Sequence, residues 1–114
     1  MRTARLSASV EAAGLIRRAE AEGGFGAILR KGDAERGSLL LVIRSRGRHV
    51  ACLERMLSPD GLYQWVAAGP IHGERDENLA DFLAKRVRFD EDLWLIELDI
   101  AHPERFIAET TFAG

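Results

Sequence analysis

The feature that most constrains this chain is an unbroken apolar run, Leu39-Leu40-Leu41-Val42-Ile43. A strand with one wet face alternates apolar and polar residues, whereas a run without alternation is typical of a strand buried on both faces. Turn residues flank the run, with Gly37-Ser38 before it and Arg46-Gly47-Arg48 after it. The run therefore predicts a central strand whose second face is also covered, by the C-terminal tail or by another copy of the chain.

Two segments carry one apolar stripe each at helical spacing, which predicts two helices that bury their stripes on a sheet. The first spans about residues 8–22, with the Ser7 hydroxyl as N-cap and Gly23-Gly24 as its end. Gly14 in its middle is less favourable than alanine by up to about 1 kcal/mol, which indicates either close packing against a sheet or an incidental glycine. The second helix spans about residues 74–88.

Four further strands are predicted, over residues 25–31, 50–56, 63–67 and 93–99. The first four strands of the chain are consecutive and joined by short turns, so they predict an antiparallel meander. Pro103 predicts a short helix docked through Phe106, Ile107 and Phe112. The chain is thus expected to be one α+β domain over residues 1–114, in the order α-β-β-β-β-α-β. Its expected architecture is a two-layer sandwich of a mainly antiparallel five-stranded sheet and two helices.

Composition narrows the class of protein without naming a function. With 114 residues, 46% hydrophobic and 30% charged, the chain is expected to be a soluble globular domain. No run approaches the roughly 20 apolar residues of a membrane span, and the first ten residues lack the apolar stretch of a secretory signal. The single cysteine, Cys52, excludes a disulfide framework. Its apolar neighbours Ala51 and Leu53 predict a buried, reduced thiol in a cytoplasmic protein.

Motifs for nucleotide and metal chemistry are absent from the sequence. Gly24-Phe25-Gly26 lacks a third glycine and precedes a strand, so it does not match a dinucleotide fingerprint. His72-Gly73-Glu74 resembles the His-x-Glu of zinc deaminases, but the downstream cysteine pair of those enzymes is missing. The other histidines, His49 and His102, are distant in sequence. We therefore predict no metal site and no cofactor.

Basic residues provide the one constructive indication of a binding site. In a meander, the end of the first strand lies near the start of the second and the end of the third. This arrangement would gather four cations at one rim of the sheet, Arg30, Lys31, Arg36 and Arg55. Three others would lie about 20 Å away at the opposite rim, Arg44, Arg46 and Arg48.

Guanidinium groups bind phosphates and carboxylates through paired hydrogen bonds, so the first rim is the candidate binding site. Trp65 and Tyr63 would add a stacking surface for a single strand of nucleic acid, unless Trp65 belongs to the core. The charge is uneven along the chain. Residues 1–56 carry 11 basic and 6 acidic residues, whereas residues 57–114 carry 5 basic and 12 acidic residues. The overall net charge of −2 does not favour a nucleic-acid binder.

Four stretches resemble a small bacterial family known only as domain of unknown function 1491. They are Leu15-Ile16-Arg17-Arg18-Ala19-Glu20-Ala21 with Gly23-Gly24-Phe25, Leu29-Arg30-Lys31-Gly32-Asp33, Phe82-Leu83-Ala84-Lys85-Arg86, and Phe89-Asp90-Glu91-Asp92-Leu93-Trp94-Leu95-Ile96-Glu97. The Arg-Lys-Gly-Asp and Asp-x-Asp-Leu-Trp segments are the most specific parts. The chain departs from the family in lacking a tryptophan at the start of the first helix. The resemblance implies the fold and a bacterial cytoplasm, and it implies no activity.

The sequence therefore predicts a non-catalytic interaction module of a bacterial cytoplasm, either self-associating or docked on a larger assembly. Its contact surface would be an exposed sheet edge or an apolar patch. A nucleic-acid or phosphate binder acting through the basic rim is the first alternative. A small hydrolase or isomerase with a carboxylate site around Asp33, Glu54 or Asp90 is the second. No membrane partner is predicted.

Overall fold

Apolar periodicity and turn residues set the elements close to their predicted positions. The structure is a computed structural model, and it describes residues 7–57, 59–61, 63–71 and 76–113. In chain order the described elements are α1 (Ala8–Ala21), β1 (Phe25–Arg30), β2 (Leu39–Ser45), β3 (Arg48–Leu57), β4 (Tyr63–Ala68), α2 (Asp76–Phe89), β5 (Trp94–Asp99) and α3 (Pro103–Ala113). The α+β class and the order α-β-β-β-β-α-β are confirmed. The short helix expected at Pro103 is a third helix of 11 residues.

The strand order in the sheet is β1-β5-β2-β3-β4. Strands β2, β3 and β4 form the antiparallel meander, but the prediction that β1 joins it is wrong, because β5 lies between β1 and β2. Strand β5 runs parallel to β2 and antiparallel to β1. Burial explains why β5 lies inside the sheet. Trp94, Leu95 and Ile96 are at most 7% exposed, and a strand with a neighbour on each side buries such side chains better than an edge strand. The sheet therefore remains mainly antiparallel, with one parallel pair.

The central position predicted for residues 39–43 is confirmed, since every side chain of that run is at most 3% exposed. Alternate residues of β2 pack on different helices. Leu39, Leu41 and Ile43 join the cluster beneath α1 and α3, whereas Leu40 and Val42 pack with residues of α2. Helices thus cover both faces of the sheet, and the arrangement has three layers instead of the expected two. The tail does cover a face of the sheet, as α3, but it lies on the same face as α1, and α2 covers the opposite face.

The start of α1 differs from the prediction. Ser7 is the N-cap residue, but its side chain makes no capping hydrogen bond. Instead, the N–H groups of Ala8 and Ser9 donate to the carbonyl oxygens of Glu35 and Ala34, at 3.3 and 2.9 Å. The connection between β1 and β2 therefore satisfies two free donors of the first helical turn, and it fixes the start of α1.

The close packing predicted at Gly14 is also absent. A Cβ atom added there would have Arg17 Nη2 at 3.9 Å as its nearest neighbour, which is ordinary contact. The glycines that do meet neighbours closely lie after the helix. At Gly24 an added Cβ would overlap the carbonyl oxygen of Asp99, so this glycine allows α1 to turn directly into β1.

Candidate functional site

Of the four cations in the predicted basic rim, Arg30 is already engaged within the protein. Its Nη1 donates a hydrogen bond to the carbonyl oxygen of Leu93 at 2.6 Å. Lys31 and Arg36, in the connection between β1 and β2, are exposed. The guanidinium of Arg30 therefore ties the end of β1 to the segment that enters β5, and the two exposed cations remain available to solvent.

Arg55, the fourth cation of the rim, lies beneath α1. It forms an ion pair with Glu11, and its guanidinium carbon lies 4.6 Å from the centre of the Trp65 ring. The Arg55 side chain is only 13% exposed. Trp65 itself is 5% exposed, so it belongs to the core and offers no stacking surface. The side chain of Tyr63 lies outside the described residues.

The sheet order separates Arg30 from Arg55. Strands β5 and β2 lie between β1 and β3, which places the two backbones roughly 14 Å apart at about 4.8 Å per strand. Arg30 is opposite Leu95, which packs with α2, whereas Arg55 is opposite Trp65 on the α1 face. The predicted rim depended on adjacency of β1 and β2, and the structure does not bring these two residues together.

The opposite rim is the hairpin between β2 and β3, which carries Arg44, Arg46 and Arg48. Arg46 and Gly47 have φ angles of 54° and 79°, as a two-residue hairpin turn requires. Their N–H groups donate to the two carboxylate oxygens of Asp99, both at 2.9 Å. Arg44 pairs with Glu97, with Nε and Oε2 2.5 Å apart. The acidic side chains of β5 therefore hold this hairpin in place, leaving Arg46 and Arg48 exposed.

The two most specific segments of the family resemblance contact each other. The Asp33 N–H donates to the Asp92 carbonyl oxygen at 3.1 Å, and Trp94 Nε1 donates to the Asp33 carbonyl oxygen at 2.8 Å. An added Cβ at Gly32 would overlap the Asp92 carbonyl oxygen, so only glycine fits this close approach. The residues of these segments thus join the β1–β2 connection to the start of β5, which is a structural role.

The carboxylates proposed for an enzyme site make hydrogen bonds or an ion pair within the fold. Asp33 Oδ2 accepts the N–H groups of Glu35 and Arg36, and Asp90 Oδ1 accepts the N–H of Asp92 at 3.1 Å. Both are the short-range contacts by which aspartates stabilise turns. Glu54 forms an ion pair with Arg86 of α2.

A shallow hollow of about 190 Å³ lies at the opposite end of the sheet from these turns. It is lined by Gly23, Gly24, Phe25, Arg46, Asp99, Ile100 and Ala101. None of the three proposed carboxylates lines it. Its single acidic side chain, Asp99, is the one that accepts the hairpin N–H groups.

In the described ranges, the thiol and imidazole groups form neither a nucleophilic site nor a metal-binding cluster. Cys52 is fully buried, and burial raises the pKa of its thiol to about 11, so the thiolate needed for nucleophilic attack is scarce at neutral pH. His49 Nε2 lies 2.8 Å from the Pro70 carbonyl oxygen, and His102 is exposed. His72-Gly73-Glu74 lies outside the described residues. Within the described ranges, no cluster of three or more metal-ligating side chains occurs.

The outer edge of β1 exposes three large apolar side chains on one short strand. Phe25, Ile28 and Leu29 are 53%, 47% and 49% exposed, on a strand that has β5 as its only neighbour among the described strands. The residues from Phe25 to Leu29 include no charge. Sequence reasoning anticipated an exposed edge without identifying it. The sequence does show the chargeless stretch at residues 25–29. Whether that stretch lies at an edge depends on the strand order, which no local pattern encodes.

Comparison with known proteins identifies relatives of this fold. A family model described as protein of unknown function (DUF1491) matches residues 6–108. The crystal structure of a DUF1491 family protein from Caulobacter crescentus CB15 has a TM-score of 0.75 and 29% identity, covering 83% of this chain and 88% of that chain. The NMR structure of a DUF1491 family protein from the same source has a TM-score of 0.72 and 30% identity, covering 87% of this chain and 89% of that chain. The solution structure of protein Atu0922 from A. tumefaciens has a TM-score of 0.70 and 28% identity, covering 84% of this chain and 86% of that chain.

No curated protein matches the chain. No helix in the described ranges is both long and apolar enough to cross a membrane.

Proposed function

The chain belongs to the DUF1491 family, described as proteins of unknown function, and we propose from its geometry that it is a non-catalytic interaction module that associates with a second copy of itself through the β1 edge. The observation that carries this proposal is the exposed, chargeless stretch of β1 at the edge of the sheet. The proposed setting is a bacterial cytoplasm, because the similar solved structures come from bacteria and a free buried cysteine suits a reducing compartment.

An edge strand presents unpaired N–H and C=O groups, which another strand can pair with. Natural proteins usually protect such edges with charged side chains, proline or a covering segment. On the opposite edge, β4, the exposed residues among Gln64 to Ala68 are Gln64 and Ala67, which are polar or small, and the strand contacts α3. The apolar side chains on β1 therefore single out that edge as the contact surface.

The free energy available from this contact predicts a weak association. Fully burying a leucine, isoleucine or phenylalanine side chain stabilises by about 1.5–3 kcal/mol, so burying the exposed half of each contributes about 1 kcal/mol. Six such side chains in a symmetric dimer contribute about 6 kcal/mol, and strand hydrogen bonds add about 1 kcal/mol each. Because association costs about 4–15 kcal/mol, we expect a dissociation constant in the micromolar range or weaker.

Sedimentation velocity over a concentration series tests the proposal. The wild-type chain is expected to shift from monomer to dimer as its concentration rises, and Ile28→Lys is expected to remain monomeric because it places a charge in the contact. Met56→Lys is the matched control, since Met56 is 54% exposed but lies on β3, inside the sheet. A wild-type chain that stays monomeric at millimolar concentration would contradict the proposal.

The two alternatives have less support. The basic rim retains Lys31 and Arg36 as exposed cations, because Arg30 and Arg55 are engaged within the fold. None of the acids proposed for the carboxylate site lines the hollow described above, and two of these acids hold turns.

A further inference from the structure

We infer that the two copies pair through antiparallel β1 strands about a two-fold axis at Ala27, so that Ile28 of each copy packs over Gly26 of the other. The inference rests on the proposed self-association and adds its register. The resulting assembly is one continuous sheet in which α1 and α3 of both copies lie on the same side. It is an isologous contact, in which each copy presents the same surface.

The pattern of faces limits the possible registers. Opposite residues of an antiparallel pair point to the same face, so the axis of a symmetric pair passes through a residue paired with itself. Gly26 and Ile28 are opposite Leu98 and Ile96 of β5, which belong to the core beneath α1. Centring the axis on Ala27 pairs Gly26 with Ile28 of the other copy, and both then lie on the α1 face.

The same register matches the chargeless stretch with itself. Residues 25–29 are centred on Ala27, so Phe25 meets Leu29 of the other copy and the small Ala27 meets its equivalent. An axis at Ile28 instead would place Lys31 opposite Phe25. Only the axis at Ala27 pairs every residue of the stretch with another residue of the stretch.

The packing of side chains around Gly26 also favours this register. An added Cβ at Gly26 would lie 2.9 Å from Ile16 Cγ1 and 2.8 Å from Leu98 Cδ2, so the packing of α1 on β1 requires glycine there. Ile16 and Leu98 thus occupy the space that a side chain at Gly26 would take. In the proposed register the Ile28 side chain of the second copy, 47% exposed in the isolated chain, packs against these apolar side chains at the edge.

The charges at the two ends of β1 favour antiparallel pairing. The exposed Lys31 directly follows the strand, whereas its start directly follows the C-terminus of α1, where Glu20 is exposed and Glu22 pairs with Arg18. Antiparallel pairing brings Lys31 of one copy near Glu20 and the negative end of the helix dipole in the other. Parallel pairing would put like charges together, which costs free energy.

A bulge limits the length of the contact. The register of β1 against β5 shifts between Ile28 and Arg30, so Leu29 is the bulged residue. The regular ladder against β5 therefore covers the strand from Phe25 to Ile28, and the bulge falls on the outermost pair of the proposed contact, Phe25 with Leu29, which agrees with a short, reversible contact rather than a permanent dimer.

Disulfide trapping tests the register. In the proposed pair the two Ala27 Cα atoms lie about 4.5–5.5 Å apart, within the range that a disulfide spans. Ala27→Cys is therefore expected to yield reducible dimers under mild oxidation, on the order of tenfold more than Met56→Cys. Native Cys52 does not contribute, because it is buried with a raised pKa.

A mixed experiment gives an independent readout without altering Ala27. Phe25→Cys mixed with Leu29→Cys is expected to crosslink more than either variant alone, since these positions are opposite each other only across the two copies. Wild-type dimerisation without either crosslink overturns the register and leaves the proposed function standing. A wild-type chain that sediments as a monomer overturns both.

Discussion

Replacing Gly14 by alanine is expected to stabilise the protein, although the sequence suggested close packing around this glycine. In a helix interior, glycine is about 0.8–1.0 kcal/mol less favourable than alanine. Gly14 lies inside α1, and an added Cβ would meet nothing nearer than Arg17 Nη2 at 3.9 Å. No steric cost offsets the gain, so we expect Gly14→Ala to raise the free energy of unfolding by about 0.8 kcal/mol.

For a domain of this size, that gain corresponds to a rise in melting temperature of about 3–5 °C. Thermal unfolding followed by circular dichroism, together with urea titration, measures the change. The matched substitution is Gly24→Ala, in which the new methyl group overlaps the Asp99 carbonyl oxygen. Overpacking of this kind costs about 1–3 kcal/mol, so the same chemical change has the opposite sign ten residues later.

The pair of glycine variants separates backbone propensity from packing. A lower melting temperature for Gly14→Ala would refute the reasoning, because it would mean that α1 packs more closely at this position than the structure shows. A neutral Gly24→Ala would equally contradict the tight turn from α1 into β1.

Three further predictions concern charged and ionisable groups. Glu11→Ala removes the carboxylate that pairs with the largely buried Arg55, and is expected to lower the free energy of unfolding by about 1–3 kcal/mol in urea titrations. Arg30→Ala is expected to cost about 1 kcal/mol while Lys31→Ala leaves stability unchanged, because only the first makes an internal hydrogen bond; equal effects would contradict this assignment. The thiol of Cys52 is expected to resist labelling in the native state at pH 8 and to react on unfolding. Because burial raises its pKa from 9.0 to about 11, the unfolded chain loses this proton first, so stability falls between about pH 9 and 11, and Cys52→Ala removes that part of the decline.

Local patterns were sufficient to predict the elements of this fold. The unbroken run at residues 39–43 marked the central strand, and the apolar neighbours of Cys52 marked a buried thiol. Strand order was not predictable in the same way, because it depends on which strands gain most from burial. Trp94 and its apolar neighbours place β5 inside the sheet and leave β1 at the edge.

The error in strand order propagated to the predicted site. The basic rim assumed that β1 and β2 are adjacent, so Arg30 and Arg55 were expected to lie together. Nor can periodicity reveal that Arg30 donates to the Leu93 carbonyl oxygen or that Glu11 pairs with Arg55. These contacts join residues far apart in sequence, and they turn candidate ligand-binding side chains into parts of the framework.

A dilution series of amide NMR spectra tests most directly whether β1 is the contact surface. Between about 20 µM and 1 mM, a range chosen for a micromolar dissociation constant, the amide signals of Phe25 to Arg30 are expected to shift together. Signals of β4, at the other edge of the sheet, are expected to stay fixed. Concentration-dependent shifts centred on β4, or none anywhere, would contradict the account.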